Sequence, residues 1–268
     1  MEHKPFLRRL ARAARFARVV QAGRLARSLG RALLALGDRC QVCHGLLPGP
    51  SGAGSVCPAC AARLAPRLGG HCPRCGEPAE DPAAPPLVCP ACLAGGRSWD
   101  GFAFHGRYEG LLRDLVLGFK FGGRLGQGRL LAGFLAEACL RAAGRAGPGS
   151  MAGGPDVIVP VPLHPRRLAW RGFNQSLVLA GHLSRALGRP VAPTGLARLR
   201  DTTPQSQLPG PRRLANILGA FAGSPAAVAG RRVLLVDDVM TTGATVDTAV
   251  RALLLAGATR VDVAVVAR

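Results

Sequence analysis

Residues 237–245 combine two carboxylates with a short stretch of threonine, glycine and alanine. They follow the apolar run 233–236, whose β-branched residues are typical of a buried parallel strand. Asp237 and Asp238 are therefore predicted at the carboxyl edge of a sheet, where open α/β folds bind their ligands. Carboxylates at such an edge can accept hydrogen bonds from sugar hydroxyls, which makes this acid pair the candidate catalytic residues.

The loop after the acid pair is predicted to bind a phosphate group. It leads into a helix expected at about 245–256, and loop amides together with a helix amino terminus favour an anion at one point. Threonine hydroxyls add donors, and glycine lets the backbone approach a phosphate closely. The candidate phosphate-binding residues are Thr241, Thr242, Gly243, Ala244 and Thr245. Carboxylates for hydroxyls beside amides for a phosphate describe a cradle for ribose 5-phosphate, and the segment lacks the glycine patterns of P-loops and dinucleotide folds.

Eight of the nine cysteines fall in four CxxC pairs, and the two thiolates of each pair can reach one metal ion. The spacing from Cys43 to Cys57 recurs from Cys75 to Cys89, which favours two consecutive zinc ribbons; an interleaved pairing is the alternative. Thiol redox chemistry is the competing interpretation of a single CxxC. Four close pairs instead favour two structural zinc ions in a reducing compartment, the cytoplasm. The predicted ligand sets are Cys40, Cys43, Cys57 and Cys60, and Cys72, Cys75, Cys89 and Cys92.

Hydrophobic periodicity indicates the elements that position these residues. Strands are predicted at 102–108, 156–162, 191–199, 233–236 and 261–266, and helices at 109–121, 130–143, 176–187 and 245–256. Strands that alternate with helices predict a parallel sheet with helices on both faces. The predicted domains are a basic helical extension at 1–37, a double zinc ribbon at 38–95 and an α/β domain at 96–268.

The formal charge of +20 predicts attraction to polyanions, although a bias towards arginine across the chain would also raise it. The extension at 1–37 is predicted to be amphipathic, and either packs on the rest of the protein or presents a polyanion-binding face. No apolar run is long enough for a transmembrane helix, and no secretory signal is recognisable. Aromatic residues make up 4% of the chain, so exposed aromatic platforms for single-stranded nucleic acid are not expected.

The segment 233–245 resembles the 5-phosphoribosyl pyrophosphate (PRPP) motif of type I phosphoribosyltransferases. From about residue 33 onward the chain resembles the ComF family, competence-associated proteins that join zinc-ribbon cysteines to such a domain. The landmarks besides the cysteines are Tyr108, Lys120, Phe121, the segments 159–162, 171–175 and 198–200, Thr203, Gln205, Leu208, Arg213, Asn216 and the segment 219–221.

This resemblance implies that Asp237 and Asp238 bind the 2- and 3-hydroxyls of ribose, while residues 241–245 hold the 5-phosphate. Val161 and Pro162 occupy the place where these transferases bind pyrophosphate, usually with Mg²⁺. The implied phosphate contacts are Arg166, Arg167 and Arg171 just beyond that loop, and Arg200 and Arg213 in a segment where the fold carries a mobile flap. Lys120 either contacts a phosphate group or lies on a solvated helix face, and Asn174 and Gln175 either contact ligand or cap the following helix.

Two classes of function follow from the resemblance. The first is a phosphoribosyltransferase that binds PRPP, with an acceptor that no motif identifies. The second is a protein that handles single-stranded DNA during uptake in natural transformation, and uses the fold for binding without catalysis. A protein with no role in DNA is the third alternative. Binding to a nucleic-acid backbone should weaken steeply with salt, whereas PRPP in a pocket should depend mainly on Mg²⁺.

Overall fold

The computed structural model describes residues 38–47, 56–200 and 219–268. The chain divides into two compact units, 1–60 and 61–268. The extension predicted at 1–37 lies outside the described residues, and the domain boundaries predicted from the sequence stay predictions. Among the described residues, no helix combines the length and the apolar composition needed to cross a membrane.

The described residues form eight helices and six strands. The helices are α1 (Pro58–Arg63), α2 (Pro90–Leu93), α3 (Gly110–Phe121), α4 (Leu125–Ala143), α5 (Pro165–Arg171), α6 (Gln175–Leu187), α7 (Pro225–Val228) and α8 (Ala244–Leu255). The strands are β1 (Phe102–Gly106), β2 (Val157–Pro160), β3 (Leu196–Arg198), β4 (Phe221–Gly223), β5 (Arg232–Val239) and β6 (Arg260–Ala267).

Four of the strands form one parallel sheet in the order β1-β6-β5-β2. The two long apolar strands β5 and β6 occupy its centre, as expected for strands that are covered on both faces. The strand β5 extends three residues beyond the predicted run, and Asp237 pairs with Val265 in the register. The acid pair therefore lies among the last residues of β5, at the carboxyl edge of the sheet. The pairing of β5 with β6 fixes its backbone.

Helices cover both faces of this sheet, as predicted. Val233 and Leu235 of β5 belong to one buried cluster with Val250 and Leu253 of α8. Leu234 is equally buried but lies outside that cluster. Because successive side chains of a strand point to opposite faces, it faces the other layer, where α4 and α6 contact the sheet. The described part of the chain has the parallel α/β architecture that the sequence predicts.

The predicted and the observed elements differ in several places. Helix α4 begins at Leu125, before the predicted start at 130. The strand expected at 191–199 is reduced to β3, which pairs antiparallel with β4 outside the main sheet. Helix α5 was not predicted, because its seven residues are too few to display a helical period. Its sequence carries the local signals for a short helix: Pro165 at the first position, and Gly172 in the left-handed conformation after the last.

Candidate functional site

The carboxylates of the acid pair accept three hydrogen bonds. Ser176 donates from Oγ to Asp237 Oδ1 at 2.8 Å, and the amide of Asp238 donates to the same oxygen at 2.9 Å. The amide of Val239 donates to Asp238 Oδ1 at 2.8 Å. These bonds fix both carboxylates at the end of β5, so that any ligand meets them in a defined orientation.

Lys120 forms an ion pair with this acid pair. Its Nζ lies 3.0 Å from Asp238 Oδ2, and its side chain is only 16% exposed. Burial lowers the pKa of Lys120, but the charges of Asp238 and Asp237 more than offset this and raise it overall. Lys120 therefore neutralises one of the two carboxylates. Its burial contradicts the prediction of a solvated helix face, and a contact of Lys120 with a phosphate group stays a prediction.

The carboxyl group of Asp237 has a raised pKa, at about 7. Burial is the main cause and the charge of Asp238 adds to it, while Lys120 and the hydroxyl of Ser176 oppose it. An ordinary aspartate ionises near pH ~4. Asp237 can therefore change its protonation state near neutral pH, as candidate catalytic groups often do.

The predicted phosphate loop consists of Met240, Thr241, Thr242 and Gly243, and leads directly into α8. Helix α8 begins at Ala244, one residue earlier than predicted, and Gly243 offers no side chain to cap its first amides. Such amides point outward at a helix amino terminus and favour an anion. Thr242 Oγ1 lies 3.5 Å from the amide of Ala244, and Thr245 lies in the first turn of the helix.

Two arginines that sequence reasoning missed brace this loop through its carbonyl groups. Arg97 donates to Thr242 O at 3.0 Å, and Arg268 donates to Thr241 O. Both partners lie far from the loop in sequence, so local pattern contains no signal for them. These two contacts fix the backbone of the loop at the carbonyl groups of Thr241 and Thr242.

Gly243 is required by its backbone conformation as well as by its neighbours. Its φ is 82°, and a Cβ atom there would lie 2.9 Å from Arg97 Nη1. We expect Gly243→Ala to lower the free energy of unfolding by about 1–2 kcal/mol and to displace Arg97. Gly181→Ala is the control, because Gly181 lies in helix α6 with open space around it. Denaturant melts of both variants measure the difference, and equal stabilities would contradict this account of the loop.

Val161 and Pro162 lie beside the acid pair, because β2 is the neighbour of β5 in the sheet. The amide of Val161 donates to Val236 O at 2.9 Å, and Asn174 Nδ2 donates to Val161 O at 3.1 Å. Asn174 is also the amino-terminal cap of α6, since its Oδ1 accepts from the amide of Ser176. The segment predicted to hold pyrophosphate is thus adjacent to the segment predicted to hold ribose.

The arginines implied as phosphate contacts lie in different places, with Arg166, Arg167 and Arg171 in helix α5. Arg171 donates to Gln175 Oε1 at 2.7 Å. Burial lowers its pKa, and the charges of Asp238 and Asp237 oppose that shift, so its charge acts on the acid pair. Arg200 follows β3, and its carbonyl oxygen lies 3.4 Å from Arg198 Nε. Arg213 lies outside the described residues.

The cysteines gather into the two consecutive sets predicted from their spacing. The sulfur atoms of Cys40, Cys43, Cys57 and Cys60 lie within 4.8 Å of one another, and so do those of Cys72, Cys75, Cys89 and Cys92. All eight are free thiols in the structure, and four sulfurs at this spacing suit the tetrahedral shell of structural zinc. Each set could hold one zinc ion, and the interleaved pairing is ruled out.

The second cysteine set is part of the core of the unit 61–268. Cys72, Cys75 and Cys92 belong to the same buried cluster as Trp99 and Phe102. The indole of Trp99 donates to Arg74 O at 2.7 Å, within the CxxC knuckle, and Arg268 Nε donates to Cys75 O at 3.0 Å. The residues that brace the phosphate loop, Arg268 and the segment beginning at Arg97, therefore also hold this ribbon.

Comparison with known proteins agrees with this geometry. Residues 174–268 match the family model described as the phosphoribosyl transferase domain. Competence protein F of Haemophilus influenzae is 38% identical over 152 residues, which are 56% of this chain and 65% of that protein. The DNA utilization protein YhgH of Escherichia coli K12 is 43% identical over 109 residues, 41% of this chain and 48% of that protein.

A more distant relative extends the comparison beyond these two bacteria. Competence protein ComFC of Bacillus subtilis is 36% identical over 101 residues, 38% of this chain and 39% of that protein. The matches thus span between 39% and 65% of the length of these three relatives. The matched relatives, the transferase domain at the carboxyl-terminal end and the two cysteine sets before it agree with one another. The chain is therefore similar to the competence and DNA utilization proteins over part of their length, and its carboxyl-terminal residues 174–268 have the phosphoribosyl transferase domain.

Proposed function

We propose that the chain binds the 5-phosphoribosyl group of PRPP or of a related compound. The observation that carries this proposal is the acid pair fixed at the end of β5, followed directly by a braced loop at the amino terminus of α8. Asp237 and Asp238 accept hydrogen bonds from the ribose hydroxyls. Residues 241–245 donate to the 5-phosphate through amides and hydroxyls.

Pyrophosphate, when it is part of the ligand, lies along Val161 and Pro162 with Arg171 on its far side. Carboxylate oxygens suit Mg²⁺, and Asp237 and Asp238 supply them at this edge. Lys120 already lies at one of these oxygens. The ammonium group and the guanidinium of Arg171 therefore supply positive charge to the same site as a Mg²⁺ ion brought by PRPP. A preorganised positive field of this kind would stabilise the leaving pyrophosphate in a transfer reaction.

The proposed setting is the cytoplasm, in DNA uptake during natural transformation. The relatives named for competence and for DNA utilization support this setting. The two four-cysteine sets support it as well, since cysteines arranged to bind metal suit a reducing compartment. The transfer of the phosphoribosyl group to an acceptor is a further step, and binding does not depend on it.

A thermal-unfolding experiment tests the binding. At about 100 times its dissociation constant, PRPP with Mg²⁺ should stabilise the zinc-loaded protein by roughly 2.7 kcal/mol, which corresponds to about 5–10 °C in the melting temperature. Asp237→Asn should abolish the rise, because the ribose hydroxyls lose a charged acceptor.

The matched control is Asp114→Asn on the exposed face of α3. Both substitutions remove one negative charge, so any non-specific attraction to phosphate increases equally in the two variants. The control should retain the full rise in melting temperature. A wild-type protein that is folded and loaded with zinc but shows no rise would overturn the proposal.

A further inference from the structure

The side chain of Arg268 joins the second cysteine set to the phosphate loop. Its Nε donates to Cys75 O at 3.0 Å, and its Nη1 donates to Thr241 O. Its Nη2 forms an ion pair with Glu77, two residues after Cys75, and the side chain is only 11% exposed. One guanidinium group therefore binds the backbone of a CxxC knuckle and the backbone of the loop at the same time.

The backbone next to Cys75 leaves room for this side chain. Gly76 has a φ of 71°, and a Cβ atom at this position would lie 3.0 Å from Arg268 Cγ and 2.8 Å from Phe102 Cε1. Carbon atoms in contact are normally about 3.5–4.0 Å apart, so no larger residue fits here without displacing them. The stem of Arg268 thus packs directly on the knuckle, which fixes where its guanidinium group lies.

A second connection runs beside the first. The indole of Trp99 donates to Arg74 O at 2.7 Å, and the guanidinium group of Arg97 lies 5.3 Å from the centroid of the Trp99 ring. Arg97 in turn donates to Thr242 O at 3.0 Å. Two consecutive carbonyl groups of the knuckle are therefore linked to two consecutive carbonyl groups of the loop, each link through one arginine.

The position of the knuckle carbonyls depends on the sulfur atoms beside them. Cys72 and Cys75 flank Arg74, and four thiolates around one zinc ion fix the distance between these two cysteines. Without the ion no bond joins the two sulfurs, and the backbone between them can relax. Close-packed interiors transmit such displacements because they are hardly compressible. A change in the knuckle should therefore displace the loop carbonyls that the two arginines bind.

We propose that the second cysteine set and the phosphate loop are coupled sites, with Arg268 and Arg97 as the positioning residues that join them. Zinc in the set holds the loop in the arrangement that binds the 5-phosphate of a phosphoribosyl ligand. Because coupling between two binding sites is reciprocal, the ligand strengthens the binding of zinc by the same factor. The coupling rests on the proposed function, which assigns the phosphate to this loop.

Cadmium NMR tests whether the second set senses the ligand. Cadmium is a soft ion that binds thiolates as zinc does, so the loaded protein should give one resonance for each cysteine set. Cys43→Ser assigns the two resonances by removing that of the first set. Saturation with ribose 5-phosphate should shift the resonance of the second set and leave that of the first unchanged. The shift should follow the same titration curve as the binding of the ligand.

Two substitutions that keep the positive charge remove the connections. Arg268→Lys and Arg97→Lys replace the planar fork of each guanidinium group by a point charge, which cannot span the same partners. Each should reduce the shift of the second resonance, and the double variant should abolish it. Arg129→Lys is the matched control, since Arg129 is exposed on α4, and it should behave as wild type.

Competition with a zinc chelator measures the size of the coupling. Saturating ribose 5-phosphate should raise the zinc affinity of the second set about fivefold or more, as is typical of coupled sites, while the first set serves as the internal control. A ligand that merely stabilised the folded unit would raise this affinity equally in the double variant. With the proposed coupling, the double variant loses most of the increase.

Two results would overturn the inference and leave the proposed function intact. One is a second resonance that does not move although ribose 5-phosphate binds. The other is a gain in zinc affinity that is undiminished in the double variant. If neither PRPP nor ribose 5-phosphate binds to the zinc-loaded protein, the proposed function itself fails, and the coupling fails with it.

Discussion

Cys75→Ser should strongly destabilise the unit 61–268, whereas Cys43→Ser should leave the stability of that unit nearly unchanged. Cys75 is completely buried and belongs to the core cluster of this unit, while Cys43 is exposed and belongs to the unit 1–60. Zinc bound by four thiolates contributes its binding free energy to folding, on the order of 10 kcal/mol. A domain of ordinary stability has a free energy of unfolding of about 5–15 kcal/mol. Loss of the second zinc ion therefore removes a large share of the stability of the α/β domain.

Two measurements on purified protein check this contrast. The wild type should contain two zinc ions per chain, and each variant should contain one. The emission of Trp99 reports the unfolding of the unit 61–268, because its indole donates to Arg74 O within the second knuckle. We expect Cys75→Ser to lower the melting temperature by at least about 10 °C and Cys43→Ser to change it by no more than about 2 °C. Similar losses in the two variants would show that the two ribbons contribute alike.

The second cysteine set therefore contributes to the stability of the unit 61–268, which the sequence does not indicate. Spacing alone predicted the ligand sets, because two thiolates in a CxxC knuckle must reach the same ion and because the spacing recurs. Spacing could not predict that Cys72, Cys75 and Cys92 share a core with Phe102 of β1. Which surface a small module buries depends on shape complementarity with distant residues, and cysteine positions do not encode it.

The phosphate loop was the most predictable part of the candidate site. The residues 233–245 form a strand, a loop and the start of a helix in uninterrupted order, so local pattern is enough to place the acid pair and the loop. The predicted strand was too short, because aspartate is uncommon in strands and the prediction therefore ended before Asp237. In the structure, the pairing with β6 extends through Asp237 to Val239. Tertiary pairing overrides local propensity at such positions.

The contacts that adjust the chemistry of the acid pair could not be predicted in this way. Ser176 and Lys120 reach the carboxylates from two other helices, and Arg97 reaches the loop from the end of the second ribbon. Hydrophobic periodicity assigns a residue to an element, but it does not say which residues of different elements meet. One signal was available: Lys120 is the only lysine between residues 5 and 268, in a chain whose basic residues are otherwise arginine.

Lys120→Met should lower the free energy of unfolding of the unit 61–268 by about 3 kcal/mol, since it leaves buried carboxylates without their cation. The pKa of Asp237 is about 7, above its value of about 3.9 in an unfolded chain. The folded protein thus binds this proton more tightly, and its stability falls as the pH rises between these two values. Without Lys120 the pKa of Asp237 rises further, because the ammonium group opposes the upward shift. The destabilisation by Lys120→Met should therefore be larger at about pH 8 than at about pH 5, where Asp237 is largely protonated in both proteins.

A double-mutant cycle separates this ion pair from the general loss of a positive charge. Asp238→Asn in the Lys120→Met background should restore part of the lost stability, because the neutral amide needs no cation. Arg113→Met removes a positive charge from the exposed side of the same helix, and should cost less than about 0.5 kcal/mol at either pH. If Lys120→Met were as mild as Arg113→Met, or equally costly at both pH values, Lys120 would not be neutralising the acid pair. With the predicted pattern, the unliganded site is one whose excess negative charge is balanced by the protein itself, and a phosphoribosyl ligand must compete for carboxylates that already have a cation.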